Sequence, residues 1–226
     1  LFYFLYKYRG KKSNKAYFFS HNNKLEVVWT VVPTIILTGF IIFGLKTWDK
    51  AMNVDVTEST KIIEVYAQQF YWSARYSGDD NILGKANYKL VKEKNIFGVD
   101  TLDINFADDK MTKEVHLVVD QPVLLKFRSQ DVIHSAFLPH FRVQMNCVPG
   151  ITTQFGFTPN RTTAEMKETE GEDFEYILLC NKICGQAHYN MQMKVIVETQ
   201  EEFDIWFASK KNLENRLLTK KEEKDV

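Results

Sequence analysis

Four side chains that can bind a soft metal ion fall close together in the segment CNKICGQAHYNM. Cys180, Cys184, His188 and Met191 supply two thiols, one imidazole and one thioether. The segment follows the apolar run FEYILLC and precedes the run MKVIVET, and both runs have the residue types of β-strands. The sequence therefore predicts a loop between two strands that carries four metal ligands.

Several kinds of site could use this loop. A disulfide would give the two cysteines a structural role but would leave His188 and Met191 unexplained. Structural zinc sites use Cys and His without a thioether. Thiolate, imidazole and thioether together favour copper, and a mononuclear blue-copper site takes one Cys, two His and a weak Met. Because two cysteines are present, we favour two copper ions bridged by both thiolates, an arrangement in which both metals share one electron.

A second imidazole must come from elsewhere, and the segment DVIHSAFLPHF offers His134 and His140. We choose His134 because Asp131 and Ser135 flank it and could hold its ring by hydrogen bonds. For the remaining histidines, surface or packing roles are expected, and these are His140, His116 and His21.

The amino-terminal part predicts a membrane anchor. Residues 27–45 contain no charged side chain, and as a helix they would span roughly 28 Å, the thickness of a bilayer core. Residues 1–6, LFYFLY, look like the end of a first transmembrane helix that is largely missing. The positive-inside rule places the basic loop between them on the inner side and the long carboxy-terminal part outside; its cations are Lys7, Arg9, Lys11, Lys12, Lys15 and Lys24.

The outer part predicts a β-fold. The chain has 29 basic and 29 acidic residues, a balance that argues against binding to nucleic acid. Short runs rich in Val, Ile, Phe and Tyr alternate with Gly and Pro turns, which favours an antiparallel β-sandwich or barrel. We expect an anchor over 1–48 and a β-domain over 49–199 with an inserted loop at about 79–113. A C-terminal helix and charged tail would occupy 200–226.

Several motifs occur in a recognisable order: HN-x-x-LE-x-x-W-T-x-x-P, Q-x-Y-W-S, D-V-I-H-S, V-P-G and C-x-x-x-C-G-x-x-H-x-x-M. Together they resemble subunit II of heme-copper cytochrome c oxidases over most of the chain. The resemblance implies a transmembrane helix hairpin followed by a cupredoxin-like β-barrel. It also implies a two-copper CuA centre that takes electrons from a c-type cytochrome. Heme in subunit I would then receive the electrons and reduce dioxygen to water while protons are pumped.

The resemblance assigns the ligands residue by residue. Cys180 and Cys184 would bridge both coppers, His134 and Met191 would complete one, and His188 with the backbone carbonyl of Lys182 would complete the other. The domain would face the periplasm of a bacterial inner membrane or, as the alternative, the mitochondrial intermembrane space. Other hypotheses are a CuA domain of another oxidoreductase such as nitrous oxide reductase, a quinol oxidase subunit without copper, and a membrane-anchored β-sandwich without metal.

The chain departs from the family pattern at several places, among them Lys182, Phe70 and the stretch from Gln144 to Ile151, which lacks three charges of the family. Lys182 replaces a Glu that helps to bind magnesium, so we expect that site to be absent. Phe70 replaces the Trp at which electrons enter, in the stretch Phe70, Tyr71 and Trp72, so a tethered cytochrome could be the donor. Cys147 replaces Ala, and we expect a small buried thiol there.

One anchor residue also has a counterpart in the family. Glu26 resembles a residue near the start of a proton path into subunit I. The alternative is a carboxylate that stabilises the helix N-terminus.

Overall fold

A computed structural model describes residues 1–10, 18–53 and 55–222, with the side chains of 218–222 excepted. The chain divides into two compact units, Leu1–Thr47 and Trp48–Val226. Three cations of the predicted basic loop, Lys11, Lys12 and Lys15, lie outside the described residues.

The amino-terminal helices are α1 (Phe2–Lys7) and α2 (Asn23–Met52). Helix α2 is longer than the predicted 27–45 because polar groups cap its start: the Asn22 side chain accepts from Leu25 N at 3.1 Å, and Glu26 Oε1 accepts from Asn22 N at 3.4 Å. Its most apolar window has a mean hydropathy of 2.2 and no buried residue. Within the described ranges, α2 is the helix whose length and composition suit a membrane span.

In the residues described, the second unit contains two five-stranded sheets and three α-helices that begin within it. Its strands are β1 (Lys61–Gln68), β2 (Tyr71–Tyr76), β3 (Lys110–Thr112), β4 (Val115–Val118), β5 (Val123–Ser129), β6 (His134–Leu138), β7 (Val143–Cys147), β8 (Thr153–Phe157), β9 (Tyr176–Cys180) and β10 (Gln192–Glu198). Sheet one has the order β3-β2-β1-β5-β8, and sheet two has the order β4-β10-β9-β6-β7. The helices are α3 (Thr163–Glu170), α4 (Gln200–Ala208) and α5 (Leu213–Glu222).

The main apolar core consists of side chains from both sheets. Alternate residues of each strand point into it, as Leu125 and Phe127 of β5 and Leu178 of β9 do. The predicted combination of a membrane helix with a β-sandwich is confirmed. Neighbouring strands pair antiparallel except for one parallel pair in each sheet, β1 with β5 and β4 with β10.

The segment predicted as an inserted loop carries part of a second, smaller apolar cluster. Phe97, Val99 and Phe106 pack there with Tyr66 of β1 and Leu213 of α5. The last residues of the predicted loop, Lys110–Thr112, form β3 at the edge of sheet one. This segment therefore covers part of the outer face of sheet one.

The carboxy-terminal region forms two helices where one was expected. Helix α4 begins with a capping box in which the Thr199 side chain and Glu202 exchange hydrogen bonds with each other's backbone. Its Phe203 is buried, and Trp206 packs edge-on against Tyr76 at 5.5 Å between ring centroids. These contacts attach α4 to the sandwich.

Candidate metal centre

The metal ligands predicted from the sequence meet at one end of sheet two. His134 is the first residue of β6, Cys180 is the last residue of β9, and Met191 immediately precedes β10. Strands β6 and β9 pair antiparallel with Ala136 opposite Cys180, and β9 pairs with β10. In an antiparallel pair, one strand starts at the end of the sheet where its neighbour finishes. The starts of β6 and β10 and the last residue of β9 therefore lie together, and so do the ligands that they carry.

The two thiols lie at the centre of the cluster. Cys180 Sγ and Cys184 Sγ are 3.8 Å apart, which is too long for a disulfide bond of about 2.05 Å. His134 Nδ1 lies 3.8 Å from Cys180 Sγ, and the ligand atoms of His134, Cys180 and Cys184 all lie within 4.8 Å of one another. This donor set can enclose a soft metal ion.

The remaining predicted ligands lie against the same two sulfurs. His188 Nδ1 is 3.6 Å from Cys184 Sγ, and Met191 Sδ is 3.7 Å from it. The backbone carbonyl oxygen of Lys182 lies 3.2 Å from Cys180 Sγ. The side chain of Lys182 is exposed, so only its backbone takes part in the cluster.

The centre is largely closed to water. His134 is 0% exposed, Met191 1%, Cys184 6% and Cys180 9%, whereas His188 is partly exposed. Burial and the adjacent Cys180 thiol raise the pKa of Cys184 to about 11 in the metal-free chain. A metal ion that binds thiolate must therefore displace a proton from Cys184 at neutral pH.

A carboxylate holds the buried imidazole. Asp131 Oδ1 lies 2.8 Å from His134 Nε2, and its carboxylate accepts backbone N–H bonds from Gln69 and Val132, each at 2.7 Å. Although partial burial opposes ionisation, these N–H groups and His134 hold the pKa of Asp131 below its usual value. Ser135, the other suggested partner, instead accepts from Gln144 Nε2 at 3.4 Å.

The aromatic stretch after β1 packs directly on the cluster. Trp72 is buried, its ring meets that of His134 edge-on at 6.0 Å, and its Nε1 donates to the Met191 carbonyl at 3.4 Å. Phe70 is partly buried, and Tyr71 is 46% exposed. The stretch therefore connects the protein surface with two of the ligands.

Sequence reasoning missed two residues that support the ligand loop. Gly185 has φ +144°, and a Cβ atom there would lie 2.7 Å from Phe70 Cε1, so a larger residue would collide with that ring. Gln69 Nε2 donates to the Cys184 carbonyl at 2.5 Å. The position of Gly185 directly after Cys184 was the available signal for the first; contacts between distant segments give no such signal for the second.

The other histidines and the third cysteine lie outside the cluster. His140 packs against Phe174 at 4.9 Å between ring centroids, and His116 stacks on Trp206 at 3.7 Å. His21 is exposed. Cys147 is fully buried on β7 opposite His134, and burial raises its pKa to about 12. His116 also lies 2.7 Å from Glu198 Oε1 through its Nδ1.

The fold is a β-sandwich with a membrane helix, and one end of its second sheet carries a cluster of side chains that could hold a soft metal ion. Residues 61–199 match the family described as cytochrome C oxidase subunit II, periplasmic domain, and residues 1–47 match the transmembrane domain of the same subunit. The chain belongs to the cytochrome c oxidase subunit II family and is a membrane protein. Members of this family are subunits of an oxidoreductase complex and carry a copper-binding CuA domain.

Two bacterial relatives align over nearly the whole chain. The alternative cytochrome c oxidase subunit 2 of Bradyrhizobium diazoefficiens is 31% identical over 213 residues, which cover 92% of this chain and 72% of the relative. Cytochrome c oxidase subunit 2 of Cereibacter sphaeroides is 25% identical over 223 residues, with 91% and 67% covered.

Two solved structures match the chain at lower sequence identity. The periplasmic domain of subunit II of cytochrome oxidase from Bradyrhizobium japonicum has a TM-score of 0.46 and 23% identity, covering 69% of this chain and 96% of that one. A chain of a heme-copper terminal oxidase dimer has a TM-score of 0.45 and 16% identity, covering 78% and 99%.

Proposed function

We propose that this chain accepts electrons at a binuclear CuA centre and passes them to heme in subunit I of a cytochrome c oxidase. Dioxygen would be reduced to water in that subunit while protons are pumped. The observation that carries the proposal is the pair of thiols of Cys180 and Cys184, 3.8 Å apart, with an imidazole against each. When bound between these thiols, two copper ions would share one unpaired electron and so supply a one-electron relay.

The protein's contribution is a fixed and dry ligand frame. Asp131 orients the His134 ring, and the ends of β6 and β9 hold His134 and Cys180 in register. Rigid ligands suit electron transfer because small changes in geometry keep its barrier low. Of the side-chain ligands, only His188 keeps appreciable contact with solvent, and we propose that it lies on the side where the centre approaches its redox partners.

Electrons would enter over the aromatic stretch. Phe70 packs against Gly185, which directly follows Cys184, so a short contact path leads from this ring to a ligand. Tyr71 extends to the surface, and Trp72 contacts the His134 ring. We propose a c-type cytochrome as the donor. Since Phe70 has no indole N–H for a docking hydrogen bond, a tethered cytochrome suits this surface.

Two anchor and loop positions have separate proposed roles. Glu26, in the first turn of α2, would lie near the start of a proton path into subunit I.

Lys182 would complete the copper site through its carbonyl oxygen, and its ammonium group would exclude the magnesium ion of the family. A metal analysis of the assembled complex that found stoichiometric magnesium beside Lys182 would contradict the second role.

The proposed setting is a bacterial inner membrane. The anchor over residues 1–48 would contact lipid and oxidase subunit I, and the β-domain over 49–199 would lie on the periplasmic side. The residues from 200 onward would form a carboxy-terminal extension. These boundaries and this orientation remain proposals. Reaction of the intact bacterial membrane with a reagent that cannot cross it should modify the β-domain and leave the basic inner loop unmodified.

The proposed electron transfer is tested by rapid mixing. The full chain, loaded with copper in detergent, is mixed with a reduced c-type cytochrome. Cytochrome oxidation should coincide with bleaching of the copper absorption. With a Cys184→Ser variant, neither change should be observed. Copper that stays oxidised while wild-type protein and cytochrome are mixed at high concentration would contradict the proposal.

A further inference from the structure

A cleft separates the outer face of sheet one from the segment that follows β2. Its larger compartment has a volume of about 590 Å³, and its walls include Tyr66, Tyr88 and Pro149. A smaller compartment of about 210 Å³ adjoins it, because Arg128 and Thr152 line both. The combined volume is in the range of small-molecule sites. This cleft uses none of the copper ligands.

The smaller compartment carries an excess of positive charge. Arg75, Lys126 and Arg128 line it, with Glu64 as the opposing carboxylate. Asp109, which does not line the compartment, forms an ion pair with Arg75, with 2.7 Å between Asp109 Oδ2 and Arg75 Nη1. Even with both carboxylates ionised, three cations against two anions leave one positive charge without a counterion. Such an excess in a partly enclosed space attracts anions.

Both oxygens of the Glu64 carboxylate already accept hydrogen bonds from arginine side chains. Its Oε2 accepts from Arg75 at 2.6 Å, and its Oε1 accepts from Arg128 at 2.6 Å. Burial opposes its ionisation, yet the two guanidinium groups hold the pKa of Glu64 below the ordinary value. Glu64 therefore stays charged, and the hydrogen bonds found for its carboxylate come from the two guanidinium groups. In the described part of the chain, no hydrogen bond or ion pair is found for the Lys126 ammonium group.

Arg128 also keeps part of its hydrogen-bonding capacity. Its Nη1 donates to Glu64, and both Nη atoms donate to the Phe97 carbonyl at 3.3 Å. A guanidinium group has five N–H donors. The edge formed by Nε and the outer Nη2 hydrogen has no partner among the residues described, and this edge has the fork geometry that binds two oxygens of one anion.

Lys126 and Arg128 project from the same face of β5. Their neighbours Leu125 and Phe127 point into the core, so alternation along the strand directs these two cations outward to the cleft. A tetrahedral phosphate has enough acceptor oxygens to meet both the planar fork and the ammonium group. A carboxylate has two oxygens in one plane and suits the fork alone.

The larger compartment supplies space for an organic group. Tyr88 lies on its wall and is 69% exposed, so its ring face can stack on a planar group. Gly150 also lines this compartment, at φ +80°, and a Cβ built there would meet no atom within 4 Å. The compartment is therefore open at this residue.

We infer that this cleft binds a small organic phosphate. Its phosphate group lies between the Lys126 ammonium and the free edge of Arg128, and its planar organic part lies against Tyr88. Neither electron transfer nor copper is needed for this binding.

Calorimetric titration of the copper-loaded full chain in detergent tests the inference, with adenosine monophosphate as the probe. It should bind about ten-fold more tightly than adenosine, because adenosine lacks the charged group. Lys126→Gln should weaken binding about ten-fold. The matched control is Lys194→Gln, which removes a cation from an exposed ion pair with Glu175 on sheet two and should leave binding unchanged.

Two further ligands separate the parts of the inference. Inorganic phosphate should bind more weakly than adenosine monophosphate, and equal affinities would overturn the role of the larger compartment. Citrate tests the preference for phosphate, and tighter binding of citrate would overturn it. Binding of adenosine monophosphate that is unaffected by Lys126→Gln, or no saturable binding, would overturn the site itself. A second variant, Arg128→Lys, keeps the charge beside Glu64 but removes the fork, so it too should weaken binding.

Discussion

The carboxylate of Asp131 lies 2.8 Å from Nε2 of His134, on the opposite side of the ring from the nitrogen that faces Cys180. Asp131 is itself fixed by backbone N–H groups from two segments, Gln69 at the end of β1 and Val132. The orientation of the most buried imidazole is therefore set before a metal ion arrives. Carboxylates in this position also increase the basicity of a ligating imidazole.

Replacing this carboxylate should weaken copper binding. Asp131→Asn keeps the size of the side chain but removes its charge and one of its two acceptor oxygens, so the amide cannot accept both from His134 Nε2 and from the Gln69 N–H. We expect copper affinity to fall by about ten-fold or more, as is typical for such groups. Competition with a copper chelator measures the change. Asp204→Asn, on the exposed surface of α4, is the control, and equal affinities for the two variants would contradict the role of Asp131.

The packing of Phe70 on Gly185 gives a second prediction. Gly185→Ala should lower the free energy of unfolding by about 1–3 kcal/mol, because both the backbone angle and the new Cβ are unfavourable. Gly150→Ala has a positive φ but open space, so it should cost less. Denaturant titration compares them. If both variants lose the same stability, the contact with Phe70 is not a constraint; a Gly185→Ala/Phe70→Leu double variant should recover part of the loss.

The third cysteine should have no part in copper binding. Cys147 is buried beside the centre, but its neighbours in the sandwich and its raised pKa of about 12 are those of an inert thiol. Cys147→Ala should leave the copper absorption spectrum unchanged and cost about 1 kcal/mol through the small cavity it creates. Loss of a copper band in this variant, with Cys180→Ala as the positive control for such a loss, would refute the assignment.

The buried ion-pair network predicts a dependence of stability on pH. Burial raises the pKa of Asp109 from 3.8 to about 7, although Arg75 opposes this shift. Between about pH 4 and 7 the native chain therefore holds a proton that the unfolded chain has lost, and the contribution of Asp109 to stability falls as pH rises. In Asp109→Asn this titration is absent.

From about pH 4 to pH 7, the free energy of unfolding of the wild type should accordingly fall relative to that of Asp109→Asn, by at most about 4 kcal/mol. Urea unfolding of both proteins at a series of pH values measures it. Parallel stability curves from pH 4 to pH 7 would show that Asp109 has an ordinary pKa in the native chain.

The ligand loop could be predicted because its chemistry is local in the sequence. Cys180, Cys184, His188 and Met191 lie within one inter-strand connection, and strands on both sides of it are visible as apolar runs. His134 could be chosen because Asp131 precedes it by one short turn. The β-sandwich follows from short runs rich in Val, Ile, Phe and Tyr between Gly and Pro turns, and the membrane helix follows from an uncharged stretch.

Contacts between distant segments could not be predicted. The parallel pairing of β1 with β5 joins strands that are separated by β2, β3 and β4, and no local pattern specifies that partner. Segment 79–109 appeared as a charged loop because its apolar residues occur in short groups between charged ones, without a regular period. The ion pair of Arg75 with Asp109 is invisible for the same reason: each residue alone has the appearance of a surface charge.

Electron paramagnetic resonance of the copper-loaded full chain tests the central claim most directly. In the mixed-valent state, one unpaired electron shared by two copper nuclei should give hyperfine structure from both nuclei, with two copper ions bound per chain. Loading and spectrum should be lost in Cys180→Ser, because that variant removes one bridging thiolate. A spectrum from a single copper nucleus, or a chain that takes up no copper, would contradict a binuclear centre at His134, Cys180, Cys184, His188 and Met191.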